Sequence, residues 1–336
     1  MEKINIDYDK KILKDIQPDI LTELYKVMFR IRWVEEKIGE EYPKDEMKTP
    51  IHLCIGQEAI SAGFCINLNR DDYVLTTYRG HGHYLAKGGD LKSFIAELYG
   101  RETGCAGGRG GSMHLVDARV GLLGSSAIVG GVIPIATGIA LASSLKGKDQ
   151  VAVAFFGDGA VDEGVLYESI NFAVLKKLPV IYACENNFYS VCSAQSKRQP
   201  LDNIYCRFAG SGIPGYRVDG NNVVEVYETA KRAIENARGG GGPSLIEFRT
   251  YRWKGHSGAD SDVSLGYRTQ EELDEWIKRD PISNFEKYLL KEKIISNKDI
   301  DSIKKVIEEE TKEAFEFAKN SPWPDEKSIT KHLYRE

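Results

Sequence analysis

Apolar positions recur along this chain with two different periods, and the change of period outlines its architecture. In "DILTELYKVMFRIRWVEEKIGEEY", Leu21, Leu24, Tyr25, Met28, Ile31 and Val34 fall near one face at helical spacing, which predicts a helix over 9–40. A second helix fits 57–68, and "DDYVLTTY" predicts a short strand ending at Tyr78. "DLKSFIAELYG" is helical and stops at Gly100, a residue that commonly ends helices. The segment 104–131, "GCAGGRGGSMHLVDARVGLLGSSAIVGG", is too rich in glycine for regular structure.

Beyond it the pattern alternates. Pro134 suits the first turn of a helix reaching about Leu145. Strands over 151–156, 179–184 and 244–252 then alternate with helices over 162–177 and 222–237. Short apolar strands interleaved with helices predict an α/β fold, a doubly wound and mostly parallel sheet with helices on both faces. From Thr269 onward the residues are charged and helical without a strand signal. The expected organisation is an N-terminal helical arm over 1–45, an α/β domain over 46–268 and a C-terminal helical extension over 269–336.

One strand raises a chemical question. "VAVAFFGDGAVDEG" runs six apolar residues into Gly157-Asp158-Gly159, and "PVIYACENNFYS" ends a similar run in two asparagines. Asp158 and Asn187 are separated by 29 positions, which fits strand end, turn, helix, turn and strand. Parallel neighbours place their carboxyl ends side by side about 4.8 Å apart, where open α/β folds bind ligands. One carboxylate and one amide oxygen form a hard, weakly charged donor set suited to magnesium, which usually takes further oxygens from a phosphate. Gly157 and Gly159 let the backbone approach an anion, and a helix expected to start near Asp162 lends it a positive end. The pair predicts a magnesium-bridged diphosphate.

Composition narrows the alternatives. A formal charge of -5 argues against a nucleic-acid surface. The six cysteines form no CxxC pair and several stand in apolar runs, so buried free thiols in a reducing compartment are expected. "MEKINIDYDKK" has no apolar stretch after its charges and does not read as a signal peptide. The uncharged stretch from Val120 to Leu145 is long enough to span a bilayer, but its glycines, serines and Pro134 fit a loop feeding a buried helix better. No membrane association is expected, and the expected location is the cytoplasm, or an organelle interior after processing.

"GDG" followed after a 26-residue gap by "NN" resembles the signature of thiamine diphosphate enzymes. The wider chain resembles the alpha subunit of the first, decarboxylating component of 2-oxo acid dehydrogenase complexes. The motifs, in order, are "IHLCIGQEA", "TTYRGHGH", "GRGGSMH", "IVGG", "GDGA", "ENNFY" and "KGHS". The resemblance implies the thiamine diphosphate-binding fold. It implies that Asp158, Asn187 and the backbone oxygen of Tyr189 hold magnesium, and that the Gly159 and Ala160 amides lie against the diphosphate. Tyr78 and Arg79 would bind the same group, a guanidinium fork suiting phosphate oxygens. Ala127 and Val129 would hold the aminopyrimidine ring through main-chain bonds. His256 would stand near the diphosphate and the reacting centre, and His52 at the substrate entrance, both suited to proton handling. His81 and His83 would support the site from behind, and His114 the loop; His332 has no role. Relatives often carry glycine at Ala127 and Ser190 and asparagine at Asp162. Glycines, serines and acids around Ser257 and Ser261 suggest a mobile loop that orders over the diphosphate, and added phosphate there would repel it.

The glutamate that such catalysis needs on the aminopyrimidine ring comes, in this family, from a separate beta subunit. A chain with both halves needs roughly 500 residues or more. The resemblance therefore implies a heterotetramer of two alpha and two beta subunits, and a lipoyl-bearing acyltransferase as acceptor. Pyruvate is the leading substrate, acetoin the second and a branched-chain 2-oxo acid the third. Competing readings are a split transketolase-like protein and a non-catalytic nucleotide- or phosphate-binding module.

Overall fold

Pro18 starts the first helix, α1 (Pro18–Glu41), where its fixed φ suits the first turn. In this computed structural model, which describes Ile6, Tyr8, Leu13, residues 15–328, Thr330 and Lys331, residues 15–17 form a turn. The helix predicted over 9–40 is interrupted there: Leu13 is helical, residues 15–17 are not, and residues 9–12 and 14 lie outside the described residues. All six positions named for its apolar face are buried.

After α2 (Glu58–Cys65), the chain forms β1 (Tyr73–Thr77), α3 (His81–Ala86), α4 (Leu91–Leu98), β2 (Leu122–Ser126) and α5 (Val132–Leu145). Then follow β3 (Ala152–Gly157), α6 (Gly164–Lys176), β4 (Val180–Asn186), a small hairpin of β5 (Tyr189–Ser190) and β6 (Ser193–Ala194), and α7 (Gln195–Arg198). The sheet is completed by β7 (Gly215–Asp219) and β8 (Ser244–Arg249), joined by α8 (Val223–Arg238). Six strands lie in the order β2-β1-β3-β4-β8-β7, every pair parallel. Alternate residues feed opposite faces. Val153, Phe155, Ile181, Ala183, Ile246 and Phe248 join the core that includes Ile31 and Val34 of α1. Ala152, Ala154, Phe156, Val180, Tyr182 and Cys184 join the core beneath α5 and α6. A parallel sheet covered on both faces requires such unbroken apolar strands.

Two strands escape the sequence pattern. β2 lies inside the glycine-rich segment expected to be irregular, and β7 was not predicted. Both are edge strands, held by backbone hydrogen bonds to one neighbour and therefore less demanding of apolar side chains. α5 also departs from expectation. Its one face is buried, but Ile135 and Leu145 point to solvent. Among the described residues no helix is long and apolar enough to cross a membrane.

The residues after Thr269 form α9 (Gln270–Lys278), α10 (Pro281–Lys291) and α11 (Asn297–Asn320). α10 packs on α1, and α11 packs on α4 and α1, contributing Ala314, Phe315 and Ala318 to the first core. Cys54, Cys65 and Cys184 are buried free thiols as expected, but Cys192 and Cys206 are exposed.

The glycine-rich loop is organised by one carboxylate. Glu97, fully buried near the end of α4, accepts backbone N–H bonds from Ala106 and Gly108 on one oxygen, at 2.8 and 2.9 Å. Its other oxygen accepts from Gly110 and Gly111, at 2.7 and 3.0 Å. Four backbone donors are thus satisfied without regular structure. Glu97→Gln would turn an amide nitrogen toward two of these donors. Leaving partly buried donors unpaired costs about 1 to 3 kcal/mol. A lower midpoint of chemical denaturation and faster proteolysis at residues 104–111 are expected; unchanged values would show that the loop does not depend on this carboxylate.

Candidate functional site

The register of β3 against β4 builds the site. Phe156 pairs with Cys184 and Gly157 with Glu185, so the next residues of both strands emerge together at the carboxyl edge. β1 lies on the other side of β3 and delivers Tyr78 and Arg79 to the same edge. Tyr78, Arg79, Val129, Asp158, Gly159, Ala160, Asn187, Tyr189 and His256 all line one cavity there. Nine of the expected site residues are therefore brought together. Ala127, the residue after β2, and His52 are not in its lining. His52 is buried instead, its ring 4.6 Å from that of Tyr78 and 5.1 Å from that of His256.

Local turns aim these groups. After β3 the chain makes a 3-10 turn over Asp158–Asp162, and α6 starts only at Gly164. The backbone amides nearest the cavity thus belong to this short turn, not to an α-helix starting near Asp162 as expected. A Cβ on Gly157 would meet no atom within 4 Å, so that position keeps cavity space open. A Cβ on Gly159 would come within 2.5 Å of Ser190 Oγ, so glycine is needed where the turn meets the hairpin. Beyond β4, Phe188 takes a left-handed φ of 68°, and the side-chain oxygens of Asn186 and Asn187 accept from Phe188 N and Tyr189 N. Such turns separate the directions of Asn187 and Tyr189.

Arg79 is the informative charge. It is buried, and its guanidinium donates to the backbone oxygens of Leu53 at 2.6 Å and His256 at 3.0 Å. No carboxylate among the described residues lies within ion-pair distance of it. Burial lowers its pKa, and Arg252 adds to the effect. A buried cation without an anionic partner is costly, and an anion in the cavity would offset that cost. Asp158 presents the complementary case. Burial raises its pKa, while the Arg198 guanidinium, which hydrogen-bonds it, opposes the rise.

The donor set fits a hard divalent cation. One carboxylate (Asp158), one amide side chain (Asn187) and backbone oxygens are oxygen-only ligands, such as magnesium prefers. No group of three or more His, Cys, Asp or Glu side chains placed to hold a metal occurs among the described residues. The expected set, with its single carboxylate, is of another kind. The Asn187 amide nitrogen donates to Gln57 Oε1 at 3.1 Å, which turns its oxygen away from Gln57.

The imidazoles near the cavity are held neutral. Burial, then the Arg79 charge, lowers His52 to about 3 and His256 to about 4. Burial alone lowers His83 to about 3. Its Nε2 stands 3.5 Å from Glu185 Oε1, which burial raises to about 8 against the pull of Arg79. Their closeness suggests an ion pair, but both shifts favour uncharged partners at pH 7, and burial makes that the better description. His81 lies behind the site, between Glu35 Oε1 at 2.8 Å and Ser112 Oγ at 2.7 Å. Exposed His114 holds the Gly110 carbonyl at 3.1 Å; His332 lies outside the described residues.

Gly157, expected to let the backbone approach an anion, lines the cavity too, and Gln57, Thr77, Glu185 and Ser190 also line it without having been singled out as site residues. Glu185 had a signal, since it directly precedes the two asparagines on a strand that ends at the site. Gln57 sits in the "IGQEA" motif, but nothing in that motif alone directs its amide to Asn187. The 254–268 loop carries its own restraints. Asp262 accepts from His256 N at 2.7 Å and from the Tyr267 hydroxyl at 2.9 Å, and Ser257 Oγ donates to Ile51 O at 3.1 Å. Arg268 adds donors to the backbone oxygens of Arg252, Trp253, Lys254 and Ser261.

Residues 26–327 match the family model described as dehydrogenase E1 component. The chain is 39% identical over 312 residues to the alpha subunit of acetoin:2,6-dichlorophenolindophenol oxidoreductase from Bacillus subtilis (strain 168), covering 93% of this chain and 92% of that one. It is 39% identical to the pyruvate dehydrogenase E1 component subunit alpha of Porphyra purpurea, over 94% of this chain and 92% of that one. The corresponding subunit of Rickettsia bellii (strain RML369-C) is 38% identical, over 92% and 94%. With its parallel α/β sheet and strand-end cavity, the chain belongs to the dehydrogenase E1 component family.

Proposed function

We propose that this chain is the alpha subunit of a thiamine diphosphate-dependent 2-oxo acid dehydrogenase that oxidatively decarboxylates pyruvate and passes the acyl group to a lipoyl domain. One observation carries the reading: Asp158 and Asn187, from adjacent parallel strands, share a cavity with Tyr78, Arg79 and His256. Similarity to pyruvate dehydrogenase alpha subunits supports it. Acetoin is the second reading, favoured by the equal identity to the Bacillus subtilis subunit. A passive phosphate-binding module would leave the Asn187 turn and the Tyr78–Arg79 pair without use.

In this reading Asp158, Asn187 and the Tyr189 carbonyl hold magnesium, and the Gly159 and Ala160 amides with Tyr78 and Arg79 receive the diphosphate. Main-chain groups of Ala127 and Val129 hold the aminopyrimidine ring. The bound cofactor supplies the electron sink that lets a 2-oxo acid lose carbon dioxide. In the same reading neutral His256, whose ring packs against that of His52, accepts a proton from a group in the cavity.

A beta subunit supplies what this chain lacks. Val129, 46% exposed, both lines the cavity and adjoins Ile128, 72% exposed. Ile135 and Leu145 on α5, and Tyr167, Phe172 and Leu175 on α6, extend the exposed apolar surface. Apolar helices left open beside a cofactor cavity suit a large partner interface. The expected assembly is two alpha and two beta subunits in the cytoplasm, serving a lipoyl-bearing acyltransferase.

The test is reconstitution with a beta subunit and assay on pyruvate, acetoin and branched-chain 2-oxo acids. Pyruvate turnover with lipoyl acceptor is expected, and none from this chain alone. Asp158→Ala or Asn187→Ala should cut turnover and cofactor affinity by about 100-fold, in line with loss of a metal ligand and its oriented neighbours. Undiminished cofactor binding by either variant would defeat the reading.

The histidine shifts give a second expectation. An imidazole kept neutral in the folded state but titrating near 6.5 in the unfolded chain stabilises the fold fully above that pH. That stability is lost as pH falls through the folded values of about 3 and about 4 for His52 and His256. Ring-nitrogen NMR at pH 5.5 should show neutral patterns for both; imidazolium signals there would contradict the burial argument.

A further inference from the structure

The cavity does not contain the side chain that holds its central carboxylate. Asp158 is 1% exposed, and its Oδ2 accepts from Arg198 Nη2, which reaches it from α7 without lining the cavity. The other guanidinium nitrogen, Nη1, donates to Asp162 Oδ2 at 2.8 Å. One fork thus spans both ends of the 3-10 turn that carries Asp158, Gly159 and Ala160. Arg207 stands farther off, 3.7 Å from Asp162 Oδ1.

A second chain of bonds joins that turn to the end of β4. Gln199 Nε2 donates to Asp158 O and to Asp162 Oδ1, each at 3.1 Å. Gln199 Oε1 accepts from Gln195 Nε2 at 2.9 Å, and Gln195 Oε1 accepts from Asn186 Nδ2 at 3.1 Å. Gln195, Gln199 and Asn186 are all buried. Asn186 immediately precedes Asn187, so the network closes between the two turns that bear the proposed metal ligands. Side chains buried behind a ligand and bonded to it fix its orientation and are known to govern metal affinity.

Resting on the proposed function above, we infer that Arg198, with Gln199, is a positioning residue of the metal site. It fixes one oxygen of Asp158 from outside and leaves the other free for a divalent cation. Asp162 supplies the second anchor of the fork. The guanidinium also keeps a buried carboxylate balanced before any metal arrives.

The test is titration of the full chain, reconstituted with its beta subunit, with Mn2+ in the presence of thiamine diphosphate, free Mn2+ being read by electron paramagnetic resonance. Arg198→Gln should raise the Mn2+ Kd about tenfold or more, and Arg198→Lys should recover part of that loss. Asp162→Asn should raise it severalfold in the natural chain but add nothing in the Arg198→Gln background. A Kd for Arg198→Gln within twofold of the natural value, or full additivity with Asp162→Asn, overturns the positioning role alone. If the natural chain itself retains no Mn2+, the proposed function falls and the inference with it. Should Arg198→Gln fail to fold, Asp162→Asn decides, and an unchanged Kd overturns the inference.

Discussion

The parallel pairing of β3 with β4 is the constraint on which the rest depends. Because Gly157 stands opposite Glu185, the turn after each strand opens at the same height, one strand spacing apart. A slip of one residue would reverse every side chain on the slipped strand and carry Phe155 or Ile181 to the wrong core. The apolar alternation that fills two cores therefore also fixes where Asp158 and Asn187 emerge. Fold stability and site geometry are set by the same register.

Charge around the cavity is distributed unevenly. Arg79 donates to backbone oxygens and has no carboxylate within ion-pair distance among the described residues, whereas Arg198 is engaged by Asp158 and Asp162. Glu185 and the nearby imidazoles are driven toward their neutral forms by burial. The walls thus present one cation without a carboxylate, one oriented carboxylate and several neutral polar groups. An anionic ligand carrying a divalent cation suits that arrangement better than a neutral one. Exposed Ile128 and Val129 then mark the side where another protein surface would complete the enclosure.

Much of this was legible in the sequence because the central strands are apolar throughout and end in unusual residues. Gly-Asp-Gly and Asn-Asn mark β3 and β4, and the helical pattern of α1 is unambiguous. The edges were not legible. β2 contains glycine and serines, and β7 is short and half-exposed, so backbone pairing alone defines them. The glycine-rich loop looked irregular because its organiser, Glu97, belongs to the preceding helix. Arg198 and Gln199 were invisible for a related reason: their partners lie 36 to 41 positions away and share no periodicity with them. His52, expected at the substrate entrance from the resemblance, is buried with its ring against those of Tyr78 and His256, two contacts that no local pattern announces.

Convergence of two strand-end turns on one cation is the central claim, and anomalous diffraction addresses it directly. Crystals of the reconstituted complex grown with Mn2+ and thiamine diphosphate should show one strong peak at the carboxyl edge of β3 and β4. It should lie about 2.1 Å from an Asp158 carboxylate oxygen and from the Asn187 side-chain oxygen. A peak bound elsewhere, or cofactor density in the cavity with no metal between these two residues, would contradict the proposed site.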